Sequence, residues 1–478
     1  MGERKEGEPK EGESANEIDD IEPFQPLRNV ADFYRSEEVF DRRIHIIGVG
    51  NVGRFIAHSI RGIPNPPPIT LIFHRALYKQ QWLQSDQKLR VVTNGLEEII
   101  HGFDAEVAFP RPRSHGRETA VDGPESSSSS DPFASEQKTG PTFLEGECTE
   151  PIHSLIVCCK SSTVVSALLS VRHRLLPSSV ILFLQNGMGT VDEVNEKVFP
   201  DATTRPHYML GINSHGLNGT QVDNPFTTNH AGFGTIALGI LPHARDSPDA
   251  TKYYPLAPVT RFNPGIDEIS PAKPKRPANS DPDSPQPYSS TWPKTARHLL
   301  RTLLRTPVLC ATAFSPQDVL QLQLEKLAVN SVINPLTVLL DARNGAILYN
   351  YALTRVMRLL LAEASLVIRS LPELSHVPNV EQRFGAGRLE TLVVGVANAT
   401  RENVSSMLAD MRAGRRTEIE YMNGWIVKRG ELLGVSCVTN FMIKELVKGK
   451  TMMISHELGD SVPFVGVRGV DDGTGENH

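Results

Sequence analysis

The most restrictive feature of this 478-residue sequence is a short glycine series, Gly48-Val49-Gly50-Asn51-Val52-Gly53. It follows an apolar run containing Ile44, Ile46 and Ile47, and it opens a segment of helical pattern. In a strand–turn–helix unit the first glycine permits the tight turn. The second lets backbone approach a pyrophosphate, and the third lets helix and strand pack closely. The unpaired N–H groups and partial positive charge of the helix start then favour phosphate. Gly48, Gly50, Asn51, Val52 and Gly53 are therefore candidate cofactor-binding residues. Similar near-continuous apolar runs recur at 69–73, 154–158 and 180–184, with helix-length segments between them. This spacing predicts buried parallel strands in βαβ units, with 207–217 and 232–240 as two further strands.

Ligands on open α/β sheets sit beyond the carboxyl ends of the strands. Three polar residues fall there. Arg75 follows the second run, 22 positions after Gly53, where an acid would bind a ribose 2′-hydroxyl. An arginine instead suits a 2′-phosphate, so NADPH is expected over NADH. Lys160 follows the third run and Asn186 the fourth, in Gln185-Asn186-Gly187-Met188-Gly189. Both are candidate cofactor contacts, although Lys160 also suits a solvated helix start. Gly187 and Gly189 are expected to let backbone lie close to a ligand.

Charge and composition remove several alternatives. Net charge is −6, which offers no broad electrostatic grip on nucleic acid or an anionic membrane. No apolar run approaches the ~18–20 residues of a bilayer span. The five cysteines are odd in number and their close pair, Cys158-Cys159, is vicinal, so neither a disulfide framework nor a zinc spacing is indicated. A reducing cytosol is the default compartment, with mitochondria left open. Residues 1–42 and 456–478 read as tails. Two stretches within the first half, about 110–146 and 242–294, are rich in Ser and Pro and read as surface insertions.

The second half reads as helical. Ser315-Pro316-Gln317-Asp318 has the form of a helix start, with Ser as N-cap and Pro at the first position. Along that helix Lys326, Asn330 and Asn334 recur at every fourth residue among apolar neighbours. They form one polar stripe, which costs free energy in a buried helix unless something satisfies it. A ligand cavity is one solution and an internal amide network another. Further helices are expected over 295–304, 351–371, 402–411, 417–429 and 438–450, with 308–311 as one more strand. Glu418 would then sit in a first helical turn, where it either complements the helix dipole or serves a site.

Taken together, GVGNVG at 48–53, QNGMG at 185–189, EKLAVNSVINPLTVLLDARNG at 325–345 and SSMLADMRAGRRTEIEYMNGWIVKRG at 405–430 resemble the ketopantoate reductase (2-dehydropantoate 2-reductase) family. The resemblance covers roughly 43–109, 148–240 and 295–450. It implies an α/β fold, with an N-terminal Rossmann-type dinucleotide-binding domain over 43–312 and an all-helical C-terminal domain over 315–455. It also implies NADPH as cofactor and reduction of ketopantoate to pantoate in pantothenate and coenzyme A synthesis. By the same resemblance Lys326 is the catalytic lysine and Glu418 the acid at the hydroxyl end of the substrate. Asn330, Asn334, Asn344, Asn403 and Ser406 fall on substrate-binding positions. Lys160 and Asn186 fall near the nicotinamide and its ribose, and Arg75 at the adenosine 2′-phosphate. The expected partner is a small 2-oxo acid, with no nucleic acid, no membrane and no metal, and with a homodimer left open. Rival readings are a reductase of another branched 2-oxo acid and a non-catalytic NADPH-binding interaction protein.

Overall fold

The computed structural model describes residues 41–109, 148–219, 225–243 and 292–460, with two short paired strands at 113–114 and 117–118. From Arg42 onward they belong to one compact unit. The expected insertions and both tails lie largely outside the described residues.

The first half is built on an eight-stranded sheet. Its strands are β1 (Ile44–Ile47), β2 (Ile69–Phe73), β5 (Asp104–Val107), β6 (Ile152–Val157), β7 (Leu175–Phe183), β8 (His207–Asn213), β11 (Ile236–Ile240) and β12 (Ala311–Ala313). The order is β12-β11-β8-β7-β6-β1-β2-β5. Six neighbouring strands from β8 to β5 run parallel, and β11 turns antiparallel against β8. Every residue of β1 and β2 is buried, as strands covered on both faces require. On one face α1 (Asn51–Arg61) and α5 (Lys294–Leu304) bury Phe55, Ile56, Leu299 and Leu303 against the sheet. On the other, α3 (Ser161–Val171) and α4 (Thr190–Lys197) contribute Val164, Leu168 and Val194.

A second, four-stranded sheet departs from expectation. It contains β3 (Lys88–Thr93), β4 (Leu96–His101), β9 (Gly216–Gly219) and β10 (Thr227–Gly232), in the order β9-β10-β3-β4. The 207–217 run is therefore two strands in two sheets, and 232–240 joins the end of β10 to β11. The strand expected at 308–311 lies slightly later, at β12, because Cys310 turns the chain with a left-handed backbone.

The second half is helical around one apolar core. Its axis is α6 (Pro316–Leu340), 25 residues long and so about 37 Å. Ser315 caps it by accepting the Asp318 N–H, and Asp341 ends it in the left-handed region. Pro335 lies inside this helix and has no N–H to give the Ser331 carbonyl. The Asn423 side chain donates to that carbonyl instead, at 2.9 Å. Around α6 pack α7 (Tyr351–Arg369), α8 (Ala386–Ala399), α9 (Ser406–Arg412), α10 (Asn423–Leu433) and α11 (Val438–Asp460). The sequence reading lacked α8 and ran two boundaries early. The 402–411 helix begins only at Ser406, and the 417–429 helix only at Asn423. Helix α11 extends to Asp460, into the stretch read as a tail.

Candidate active site

The glycine turn has the geometry its spacing demands. Gly48 has φ +93°, and a Cβ there would meet the Cys159 backbone nitrogen at 2.3 Å. A Cβ on Gly53 would meet the Gly48 carbonyl oxygen at 2.3 Å. Both glycines are therefore required by packing of the turn against β6 and α1. Gly50 differs: a Cβ there meets nothing within 4 Å. It stands as N-cap of α1 without any side-chain cap, so no cap side chain takes the first N–H groups of that helix. Such a cradle fits a dinucleotide pyrophosphate, with Gly48, Gly50, Asn51, Val52 and Gly53 around it. Asn51 is occupied locally, accepting from Arg54. Arg75 is exposed just beyond β2, as N-cap of α2 (Ala76–Gln84).

Two halves of the chain meet at the carboxyl ends of β6, β7 and β8. Helix α6 brings Lys326 to β8, where its Nζ donates to the Asn213 carbonyl at 2.6 Å. Burial pulls the Lys326 ammonium down to about 8, against the opposing influence of Glu418. Glu418 is 3% exposed and reaches the end of β6. Its Oε1 accepts from both the N–H and the Oγ of Ser161, each at 3.0 Å. Its Oε2 lies 3.5 Å from Asn186 Nδ2 and 3.7 Å from Lys160 Nζ. Lys160 also donates to buried Asp410 at 2.6 Å, and Arg415 supports the other oxygen of Asp410 at 3.1 Å. A carboxylate, an amine and an amide thus meet beyond the ends of β6 and β7, drawn from residues up to 257 positions apart, and Lys326 at the end of β8 feels the Glu418 charge.

Glu418 is not in the first turn of a helix, as the sequence suggested. It precedes the 3₁₀ turn Ile419–Tyr421 of its own segment and caps a different helix, α3, whose N-cap residue Lys160 supplies no side-chain cap. Gly187 has a partner in the helical half that the sequence did not show. Its φ is +82°, and a Cβ would meet the Tyr421 carbonyl oxygen at 2.3 Å. Met188 N–H donates to the same oxygen at 2.8 Å, so this glycine serves docking of the helical half. A Cβ on Gly189 would likewise crowd Trp425, at 3.1 Å.

The polar stripe of α6 divides along its length. Asn330 is half-buried, one turn from Lys326. Asn334 is buried, and its amide donates to the Met422 sulfur at 3.4 Å. Asn344 and Asn403 meet beyond the far end of α6, where Asn344 N–H donates to the Asn403 carbonyl at 3.0 Å and its amide to Thr400. Leu340 lies about 21 Å along the helix from Lys326, so that pair is not brought to the amine by α6 itself. Ser406 is exposed at the first position of α9, while its neighbour Ser405 makes the helix cap and bonds Thr337 at 2.7 Å. A cavity of about 210 Å³ along the 185–189 loop is lined by Gly187, Gly189, Leu320, Trp425 and Arg429, and by none of Lys326, Glu418 or Lys160.

Sequence reasoning missed Ser161, Asn213, Asp410 and Tyr421. Asp410 and Tyr421 lie within the motif of 405–430 and were passed over. Asn213 acts through its backbone carbonyl, which no side-chain pattern reports. Among the described residues no group of His, Cys, Asp and Glu could hold a metal ion, and no helix is long and apolar enough to cross a membrane.

Comparison with known proteins gives the same architecture a family. Residues 44–243 match the family described as "Ketopantoate reductase PanE/ApbA", and 318–451 match its C-terminal part. A ketoisovalerate reductase, BEA2, of Gibberella fujikuroi is 28% identical over 426 residues, covering 82% of this chain and 79% of its own. A 2-dehydropantoate 2-reductase of Shigella flexneri is 37% identical over 125 residues, 26% of this chain and 37% of that one. A crystal structure of a PanE/ApbA family ketopantoate reductase from Ralstonia eutropha superposes with a TM-score of 0.54 at 18% identity, over 87% of this chain and all of that one. The chain belongs to the ketopantoate reductase PanE/ApbA family and is an NAD(P)-dependent oxidoreductase of that type.

Proposed function

We propose that the protein reduces ketopantoate to pantoate with NADPH, and that Lys326 donates the proton. The observation that carries this reading is that α6 delivers Lys326 to the carboxyl end of β8, while Glu418 and Lys160 meet beyond the carboxyl end of β6 in the same dinucleotide-type sheet. Reduction of a 2-oxo acid needs a hydride on the ketone carbon and a proton on its oxygen. The nicotinamide supplies the hydride when bound. The glycine turn would hold its pyrophosphate, and exposed Arg75 would pair with a 2′-phosphate.

Lys326 suits the proton transfer because burial brings its ammonium to about 8, near the working pH of an enzyme. It is still largely protonated at neutral pH, yet it gives up its proton far more readily than an exposed lysine. The Asn213 carbonyl fixes one of its three N–H bonds and leaves the others for the developing alkoxide. Lys160, beside Glu418, offers a second positive charge to the substrate carboxylate or the ribose. Half-buried Asn330, one turn along from Lys326, can orient the substrate without adding charge. In this assignment 43–312 binds the dinucleotide and 315–455 supplies the acid.

A second reading, reduction of ketoisovalerate, is favoured by the long match to the fungal ketoisovalerate reductase. The two acids differ by one hydroxymethyl group, which carries the only alcohol of ketopantoate. Oxidation of NADPH followed with each acid in turn, and again with NADH, tests both points. Ketopantoate is expected to give the higher kcat/KM, and NADPH to outperform NADH. Preference for ketoisovalerate would select the second reading. Turnover with neither acid would overturn both.

A further inference from the structure

The reading above gives Glu418 a substrate hydroxyl to hold but leaves open how its two oxygens are divided. The structure divides them. Oε1 is fixed by two donors from a single residue, the N–H and the Oγ of Ser161. Ser161 is itself 1% exposed and is the first residue of α3, so its N–H also carries the positive end of that helix. The same hydroxyl lies 3.0 Å from the Asn186 carbonyl oxygen on the loop after β7, so its single proton is shared between that carbonyl and Oε1, while the N–H goes to Oε1 alone. Oε2 has no such fixed donor. It is met only at longer range, by Asn186 at 3.5 Å and Lys160 at 3.7 Å, and Lys160 is already committed to Asp410 at 2.6 Å.

We propose that Ser161 is a positioning residue: it clamps Oε1 of Glu418, turns Oε2 toward the cleft, and so sets the preference for 2-oxo acids that carry a hydroxyl. A carboxylate held at one oxygen presents the other in one direction, and a substrate O–H can donate to it without reorganisation. With the clamp removed, the carboxylate rotates toward Lys160, and its gain from a substrate hydroxyl falls. A substrate without the hydroxyl has less to lose. This inference rests on the assignment of Glu418 to the hydroxyl end of the substrate.

Two substitutions separate the two donors. Ser161→Ala removes the Oγ and keeps the N–H. Ser161→Pro removes both, at a helix position that accepts proline because its N–H has no partner within the helix. The preceding residue, Lys160, already has φ −64° and ψ 146°, the extended conformation proline demands of its neighbour. Ser161→Thr retains the hydroxyl. Steady-state kinetics of all four proteins with ketopantoate and with ketoisovalerate, alongside thermal unfolding, tests the proposal. For Ser161→Ala the KM for ketopantoate is expected to rise about tenfold, the scale of one hydrogen bond to a charged group. The KM for ketoisovalerate rises less, and kcat falls less than KM rises. Ser161→Pro enlarges the same difference, and Ser161→Thr restores the wild-type ratio. If Ser161→Ala shifts both acids equally, or shifts neither, Ser161 is a packing residue and the proposal fails while the functional reading stands. If the wild-type protein turns over neither acid, the reading of Glu418 falls first and this inference with it.

Discussion

The two walls of the cleft are made in different ways. The glycine turn is backbone. Its shape is set by six residues packed on the end of β6, and what it offers a ligand is N–H groups left over by a helix start. The opposite wall is side chains, and every important contact crosses the molecule. Lys326 reaches Asn213, Lys160 reaches Asp410, and Ser161 reaches Glu418. The first wall forms wherever a strand, a turn and a helix of this pattern fold. The second exists only when the helical half docks, and Tyr421 against Gly187 and Met188 is one of the seams that docks it. Binding and chemistry are thereby separable: damage to one wall should leave the other measurable.

The sharpest test of that separation is Lys326→Ala. Loss of a positioned proton donor should lower kcat by roughly a thousandfold, within the range of general acid catalysis. NADPH affinity, read by fluorescence titration, should change by less than about threefold. A parallel loss of NADPH binding would show that the walls are not independent. The converse substitution is Gly50→Ala. Its Cβ meets no protein atom, so the melting temperature should hold while NADPH affinity falls by about a hundredfold, as a methyl group enters the space a pyrophosphate needs. Gly48→Ala makes the internal contrast, because its Cβ would strike backbone at 2.3 Å and its φ is positive; here stability should fall as well.

Smaller effects sharpen the picture. The rate should depend on pH through Lys326. With the ammonium as the proposed proton donor and burial bringing it to about 8, kcat/KM is expected to be level below that pH and to fall up to tenfold per unit above it. A profile that stays level to pH 10 would remove Lys326 as the donor. Arg75→Ala should weaken NADPH by about tenfold and leave NADH unaffected, since only the 2′-phosphate offers a charge-assisted pair. Equal loss for both cofactors would make Arg75 a general surface cation.

The same contrast explains what the sequence made legible. Local rules found the glycine turn, the strands β1, β2, β6 and β7, and the Ser315 cap of α6, because each depends on neighbours in the chain. The hairpin of β3 and β4 was legible too. Asn94-Gly95 joins two short runs with both turn residues at positive φ, and it was passed over between stronger patterns. The catalytic wall was legible only as residue types at familiar spacing. Nothing near Glu418 in the sequence says that it caps α3, 257 residues away from Ser161, and helix propensity placed it in the wrong element. The partner of Gly187 was illegible for the same reason: it is a carbonyl from the other half of the chain.

The central claim is that an amine from the helical half stands over the carbonyl while the sheet half holds the nicotinamide. A crystal structure with oxidised dinucleotide and pantoate bound tests it most directly. The account predicts Lys326 Nζ within about 3 Å of the C2 oxygen of pantoate, a normal hydrogen-bond length, with the nicotinamide ring on the opposite side of that carbon. Pantoate bound at the same strand ends with Lys326 Nζ out of reach of that oxygen and a different side chain on it would contradict it.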